Sequence, residues 1–322
     1  MSYYYGDLLR DYENLFTKGF KGGVPLSIKV KSSPSDKTHI TQKYRLSRSV
    51  ETKDDVQVTS YNVANGATLK TSCHDNAVAS KLKFGNGGLT YEVGYKPSEW
   101  NNAEKALQLK HSSVFNALSR QVDSTESLKV GAPKVGPLRL WATLDLAWNN
   151  VDNKKAIKAS GNVNFEHYHV GGKVEHDITD NKTTKINVLG LLKNSKGDFF
   201  LAGDIKKNTY TLGCHHHHGE KSEHGVEVVF DGTRKQKGVC GQPATINWAG
   251  LYQISADATL RTKLTAADTW NLGFAWSHRI NDHLKVGFSE DLNLCSVFSG
   301  CCGSAKKCDT PFQFGTSIQW TI

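Results

Sequence analysis

The sequence predicts an all-β transmembrane barrel with an N-terminal amphipathic α-helix in or near its lumen. Three observations carry this. In the 12 residues Thr269 to Ile280, large and mostly apolar side chains (Trp270, Leu272, Phe274, Trp276, His278, Ile280) alternate with small or polar ones. Successive strand side chains point to opposite faces, so this is a two-faced strand, and its length suits a tilted bilayer crossing of roughly 9–11 residues. The pattern then recurs at Leu138–Asn149, Tyr252–Arg261 and Phe312–Ile322. Finally, no run of 18 or more apolar residues exists among the 322, which excludes a membrane-spanning helix but not strands that hide apolar residues at every second position.

Composition narrows the class. The formal charge is +9 and the mean hydropathy −0.47. Three readings of the basic balance are nucleic-acid binding, an anion-attracting lumen and a solvated surface. No zinc finger, RNA-binding signature or basic helix supports the first, and no nucleic-acid partner is expected. The start, Met1-Ser-Tyr-Tyr-Tyr-Gly-Asp, lacks the basic and apolar regions of a secretory signal, and its early acids argue against a cleaved presequence. The cysteines number seven, so complete internal pairing is impossible; they read as mostly reduced thiols in an intracellular chain.

In chain order, Tyr5, Leu8, Tyr12, Leu15 and Phe16 recur at helical spacing, predicting a helix over 2–17 with Ser2 as cap and Gly19 as terminator. Residues 1–23 form this helix and a Gly-rich joint, and 24–322 the strand region. The helix is read as mobile, lying on or in a pore, or as an ordinary terminal helix packed on a soluble core. About twenty strand-like stretches follow, including 38–47, 55–62, 67–74, 104–111, 113–121, 126–131 and 250–263. The span suffices for about nineteen membrane strands.

The order of helix, Phe16-Thr17-Lys18-Gly19-Phe20, Gly-rich joint and uninterrupted strands resembles the voltage-dependent anion channels, the eukaryotic mitochondrial porins. Members of that family are the known exception to even strand numbers, so a count of nineteen is what the resemblance implies and not a reading of the periodicity. The resemblance further implies voltage-dependent, passive diffusion of ATP, ADP, phosphate and small ions across the mitochondrial outer membrane. The barrel and the absence of catalytic motifs lead to the expectation of no enzymatic activity, and no cofactor or metal is expected. Membrane lipid and the nucleotides and anions in transit are the expected partners; a homo-oligomer or an outer-membrane assembly stays open.

Alternation assigns the inward bases Lys29, Lys31, Lys70, Lys81, Lys83, Lys110, Arg139, Arg261, Lys263, Arg279 and Lys285, against the inward acids Glu92, Asp145, Asp257 and Asp291. Such an excess favours anions. By resemblance, Lys18 joins the nucleotide-contacting bases, with Arg10 and Lys21 as helpers that match no motif. The rivals are a protein-import channel, which an acidic track would suit, a plugged structural barrel, and a soluble lipid- or metal-binding β-protein.

Three features stand apart. Glu290 shares the apolar face of Val286, Phe288 and Leu292, for which a bulge or a covering partner is expected. His215–His218, with Cys214 and His224 nearby, reads as a loop with loose metal uptake and no defined site. Cys295, Cys301, Cys302 and Cys308 lack paired zinc-ribbon spacing and read as a thiol-bearing loop. No nucleophile elbow, phosphate loop, dinucleotide fingerprint or H-E-x-x-H motif appears.

Overall fold

The structure is a computed structural model that describes residues 5–20, 26–35, 38–53, 56–72, 78–85, 88–97, 106–116, 119–132, 135–219, 221–233, 243–267, 269–294 and 312–322. Within these, the side chains of residues 6, 35, 38, 47–72, 79, 81, 83–85 and 312 lie outside the description. A 3-10 turn, Tyr5–Asp7, leads into α1, Arg10–Thr17. The strands are β1 Leu26–Ser35, β2 Thr38–Lys53, β3 Val56–Ser72, β4 Val78–Gly85, β5 Gly88–Tyr95, β6 Ala106–Asn116 and β7 Gln121–Gly131. They continue as β8 Leu138–Asn149, β9 Lys155–Phe165, β10 Tyr168–Asp177, β11 Lys182–Lys193, β12 Gly197–Asp204 and β13 Thr209–His218. The last six are β14 Ser222–Asp231, β15 Ala244–Gln253, β16 Ala258–Ala266, β17 Trp270–Arg279, β18 Leu284–Asn293 and β19 Phe312–Thr321.

All nineteen strands belong to one sheet, and consecutive strands pair antiparallel. β1 pairs antiparallel with β2 and parallel with β19, with Lys29 opposite Lys43 on one side and Gln319 on the other. Alternation gives the sheet a helix face and a far face. The far face exposes Leu140, Val170, Phe199, Leu201, Leu212 and Trp320, each more than half accessible, among many other large apolar side chains. A continuous apolar surface of this kind is a liability in water and is what a strand needs toward lipid.

Several expectations are corrected. The helix is shorter than 2–17: a 3-10 bond from Leu8 N to Tyr5 O, 3.4 Å, separates the first turn from α1, beside the helix-weakening Gly6. Leu9 occupies the N-cap, while Ser2 lies outside the described residues. Gly19 does end the helix, at φ +93°, a conformation that glycine adopts without steric cost. The stretches 55–62 and 67–74 are one strand, β3, because Asn65 and Gly66 stay in register with Tyr44 and Lys43. The 113–121 stretch is divided between the ends of β6 and β7.

The 250–263 stretch is two strands. Ser255 Oγ accepts from Asp257 N at 3.3 Å and Ala258 N at 3.0 Å, and this side-chain turn reverses the chain despite unbroken alternation. Asp257 consequently sits in a turn, not on an inward strand position. His215–His218 is the end of β13, paired with β14, and not a loop. At Glu290 the β17–β18 and β18–β19 registers run without a bulge, so Glu290 stays on the far face opposite Phe274 and Phe314.

Candidate anion path

The helix lies on the sheet where the chain is apolar on both faces. Leu189 and Leu191 of β11 and Phe200 of β12 point to the helix face and form a buried cluster with Leu8 and Tyr12. Their neighbours Val188, Phe199 and Leu201 point the other way and are exposed. The run Val188–Leu192 was therefore a legible signal of a covered patch. Leu15 is 1% exposed, and it reaches the sheet because residue 225 is glycine: a Cβ there would stand 2.9 Å from Leu15 Cδ2 and 3.1 Å from both Tyr12 Cε2 and Phe16 Cε2.

Polar contacts fix the helix at both ends of this seat. Tyr12 Oη donates to Glu227 Oε2 at 2.8 Å, and Asn247 Nδ2 donates to Glu227 Oε1 at 2.8 Å. Burial, then the Glu227 charge, raises the Tyr12 phenol far above its ordinary range, so its hydroxyl remains a donor. At the other end Arg261 Nη1 donates to Asn14 O at 3.3 Å, placing a cation at the negative end of the helix dipole.

Beyond that end lies a cavity of about 460 Å³ lined by Lys18, Lys29, Lys43, Arg45, Arg261 and Lys285, with no carboxylate among its described lining residues. Lys18 enters it because it is the residue where α1 stops; the others are helix-face positions of β1, β2, β16 and β18. Hydroxyls of Ser27, Thr259, Ser277, Ser289 and Ser317 complete the wall. Six cations and neutral donors without a counter-carboxylate among the described residues give this cavity a positive potential.

The other sequence-selected bases are placed differently. Lys31 and Arg279 share the face, and Arg279 stands opposite Lys285. Lys263 is held 2.9 Å from Asp291 and over the Phe20 ring at 4.4 Å. Lys110 pairs with Glu92 at 3.4 Å, and Arg139 lies 5.8 Å from the centre of the Trp141 ring. Arg10 points away from the wall, 3.4 Å from Asp7 and largely exposed. The Lys70, Lys81 and Lys83 side chains and all of Lys21 lie outside the described residues.

The sequence reading missed Lys43 and Arg45, although their neighbours Ile40, Tyr44 and Leu46 carry the far-face alternation. It also missed the acids Glu175, Asp198, Glu223 and Glu227 on the same face at β10, β12 and β14, of which Glu175 lies 2.7 Å from Lys173 and 3.8 Å from Lys158. Bases thus predominate around the cavity, and acids and bases alternate beside the helix seat.

On the far face, His111 Nδ1 and Glu126 Oε1 are 2.5 Å apart, and Ser113 bridges His111 Nε2 and Ser124 Oγ, both at 2.9 Å. Cys214, His216 and His224 also fall on that face. The four cluster cysteines from Cys295 to Cys308 lie outside the described residues.

One large antiparallel sheet with an apolar face and a charged face carrying a terminal helix is the build of a β-type pore. The chain belongs to the eukaryotic porin family, whose model matches residues 121–298, more than half of its length. That family consists of pore-forming outer-membrane channels rather than enzymes. No curated protein matches the chain.

Proposed function

We propose that the chain is a voltage-dependent, weakly anion-selective channel for passive diffusion of ATP, ADP, phosphate and small ions across the mitochondrial outer membrane. In this reading the sheet closes as a transmembrane barrel: the β1–β19 pair joins its ends, and an odd strand number makes that pair parallel. The helix face is then the lumen and the far face meets lipid. The observation that carries the selectivity is the carboxylate-free cavity of six cations at the end of α1. An anion gains there what a cation loses, and the difference is modest because charges in a wet lumen are screened over about 8 Å at physiological salt.

The test is the reversal potential of the purified chain in a planar bilayer under a salt gradient. Anion preference that grows as salt is lowered is expected. A second reading, a polypeptide-import channel, rests on the acids Asp198, Glu223 and Glu227 beside the helix. Cation preference with current block by a basic presequence peptide would replace the first reading by this one.

Closure also predicts a cost on the far face. In water the partly exposed His111–Glu126 hydrogen bond contributes about 0–1 kcal/mol. In lipid, deleting His111 leaves the Glu126 carboxyl without its partner, at about 1–3 kcal/mol. His111→Ala is therefore expected to lower unfolding stability in vesicles by the larger amount; a loss under 1 kcal/mol would put this face in water.

A further inference from the structure

We infer that Asp198, His215 and His217 form a binding site for a divalent transition-metal cation at the seat of the N-terminal helix, with Glu223 beside it. The run of four histidines is not one ligand set. Being strand, it sends His216 and His218 to the far face and His215 and His217 to the helix face. Antiparallel pairing then brings Asp198 opposite His215 and Glu223 opposite His217.

The donor atoms of Asp198, His215 and His217 all lie within 4.8 Å of one another. A tetrahedral zinc ion with bonds of about 2.0–2.2 Å spaces its ligands roughly 3.3–3.6 Å apart, so side-chain rotations of about an ångström complete the set. Glu223 Oε2 stands 3.5 Å from His215 Nε2 and Glu223 Oε1 4.0 Å from His217 Nδ1, where it serves as fourth ligand or as the carboxylate that orients a histidine.

A second observation points to a ligand. His215 is 2% exposed, and among the described residues its Nδ1 has no hydrogen-bond partner while its Nε2 has only the Glu223 carboxylate, 3.5 Å away. Buried polar nitrogens are normally satisfied, which leaves His215 a ring nitrogen for a ligand. Two imidazoles and two carboxylates suit zinc, cobalt or nickel better than the hard cations calcium and magnesium. The site also touches the helix: the Tyr12 ring centre is 6.0 Å from that of His215. A cation bridging β12 and β13 at this point stiffens the wall on which α1 rests.

The experiment uses the full chain, folded in lipid nanodiscs, titrated calorimetrically with Zn²⁺ and followed by absorption with Co²⁺. One tight equivalent and the visible bands of tetrahedral cobalt are expected. Asp198→Asn and His217→Gln should each weaken binding at least tenfold, and Glu223→Gln by roughly 10–100-fold. The far-face double variant His216→Gln/His218→Gln should bind like the unmodified chain. Amide exchange across Arg10–Thr17 should slow on adding Zn²⁺, and not in His217→Gln. His217 is partly exposed, so this variant should fold, as its unchanged melting temperature without metal would show. Absence of binding, or binding that survives His217→Gln and vanishes with the far-face pair, overturns the site. Both readouts are independent of channel selectivity.

Discussion

Replacing Lys29, Arg261 and Lys285 together with glutamate is expected to abolish anion preference, and adding Lys43→Glu to reverse it. The size of the effect follows from counting. Among the described residues, six cations and no carboxylate line the cavity at the end of α1. Each exchange of a base for glutamate removes two positive charges, so three exchanges leave the lining neutral and four leave it negative. The reversal potential should move toward zero in the triple variant and change sign in the quadruple one. The shift should be larger in dilute salt, where the screening length lengthens toward about 30 Å at 0.01 M. Lys206→Glu, in the exposed turn between β12 and β13, supplies the control and should change little. A quadruple variant that keeps its anion preference would mean that the path avoids this cavity. Because Arg261 also holds the last turn of α1 through Asn14 O, a triple variant built with Lys43 in its place separates charge from helix anchoring.

Gly225→Val should release the helix from the wall. The three nearest helix atoms stand 2.9–3.1 Å from where a Cβ would be, and two of them belong to the buried residues Tyr12 and Leu15. Overpacking of this kind costs about 1–3 kcal/mol, roughly a 5- to 160-fold shift toward an undocked helix. The strands need not change, since the β14 register on both sides is regular. Amide exchange of Arg10–Thr17 should accelerate by that factor while strand amides keep their protection. The same release should alter conductance, because Lys18 would leave the cavity with the helix. Unchanged exchange would show that the close approach at Gly225 does not hold the helix.

Much of this was legible in the sequence because strand geometry is local. Alternation at Leu138–Asn149 and Trp270–Arg279 places each side chain on one face without reference to any partner. It set Lys29, Arg261 and Lys285 on the face opposite their apolar neighbours, and the run Phe16–Phe20 with the Gly-rich joint pointed to the family. Alternation also misled where local polar chemistry overrode it: Ser255 turns the chain inside an apparently continuous strand. At the histidine run the error went the other way, and a polar sequence that looked like a loop is held as strand by its pairing with β14.

Periodicity by itself determined the two-faced strands, the exclusion of a spanning helix and the amphipathic start. Only the tertiary structure decided which residues meet. Lys29 and Lys285 come to one cavity because β1 pairs with β19 across nearly the whole chain. The helix settles beside β11–β14, where Leu189, Leu191 and Phe200 face it and Gly225 leaves room. That same docking puts the basic cavity at one end of α1 and Glu227 against Tyr12. The reason is physical: which way a side chain points follows from its own backbone dihedrals, whereas its neighbours follow from non-local hydrogen bonding and burial that no window of the sequence contains.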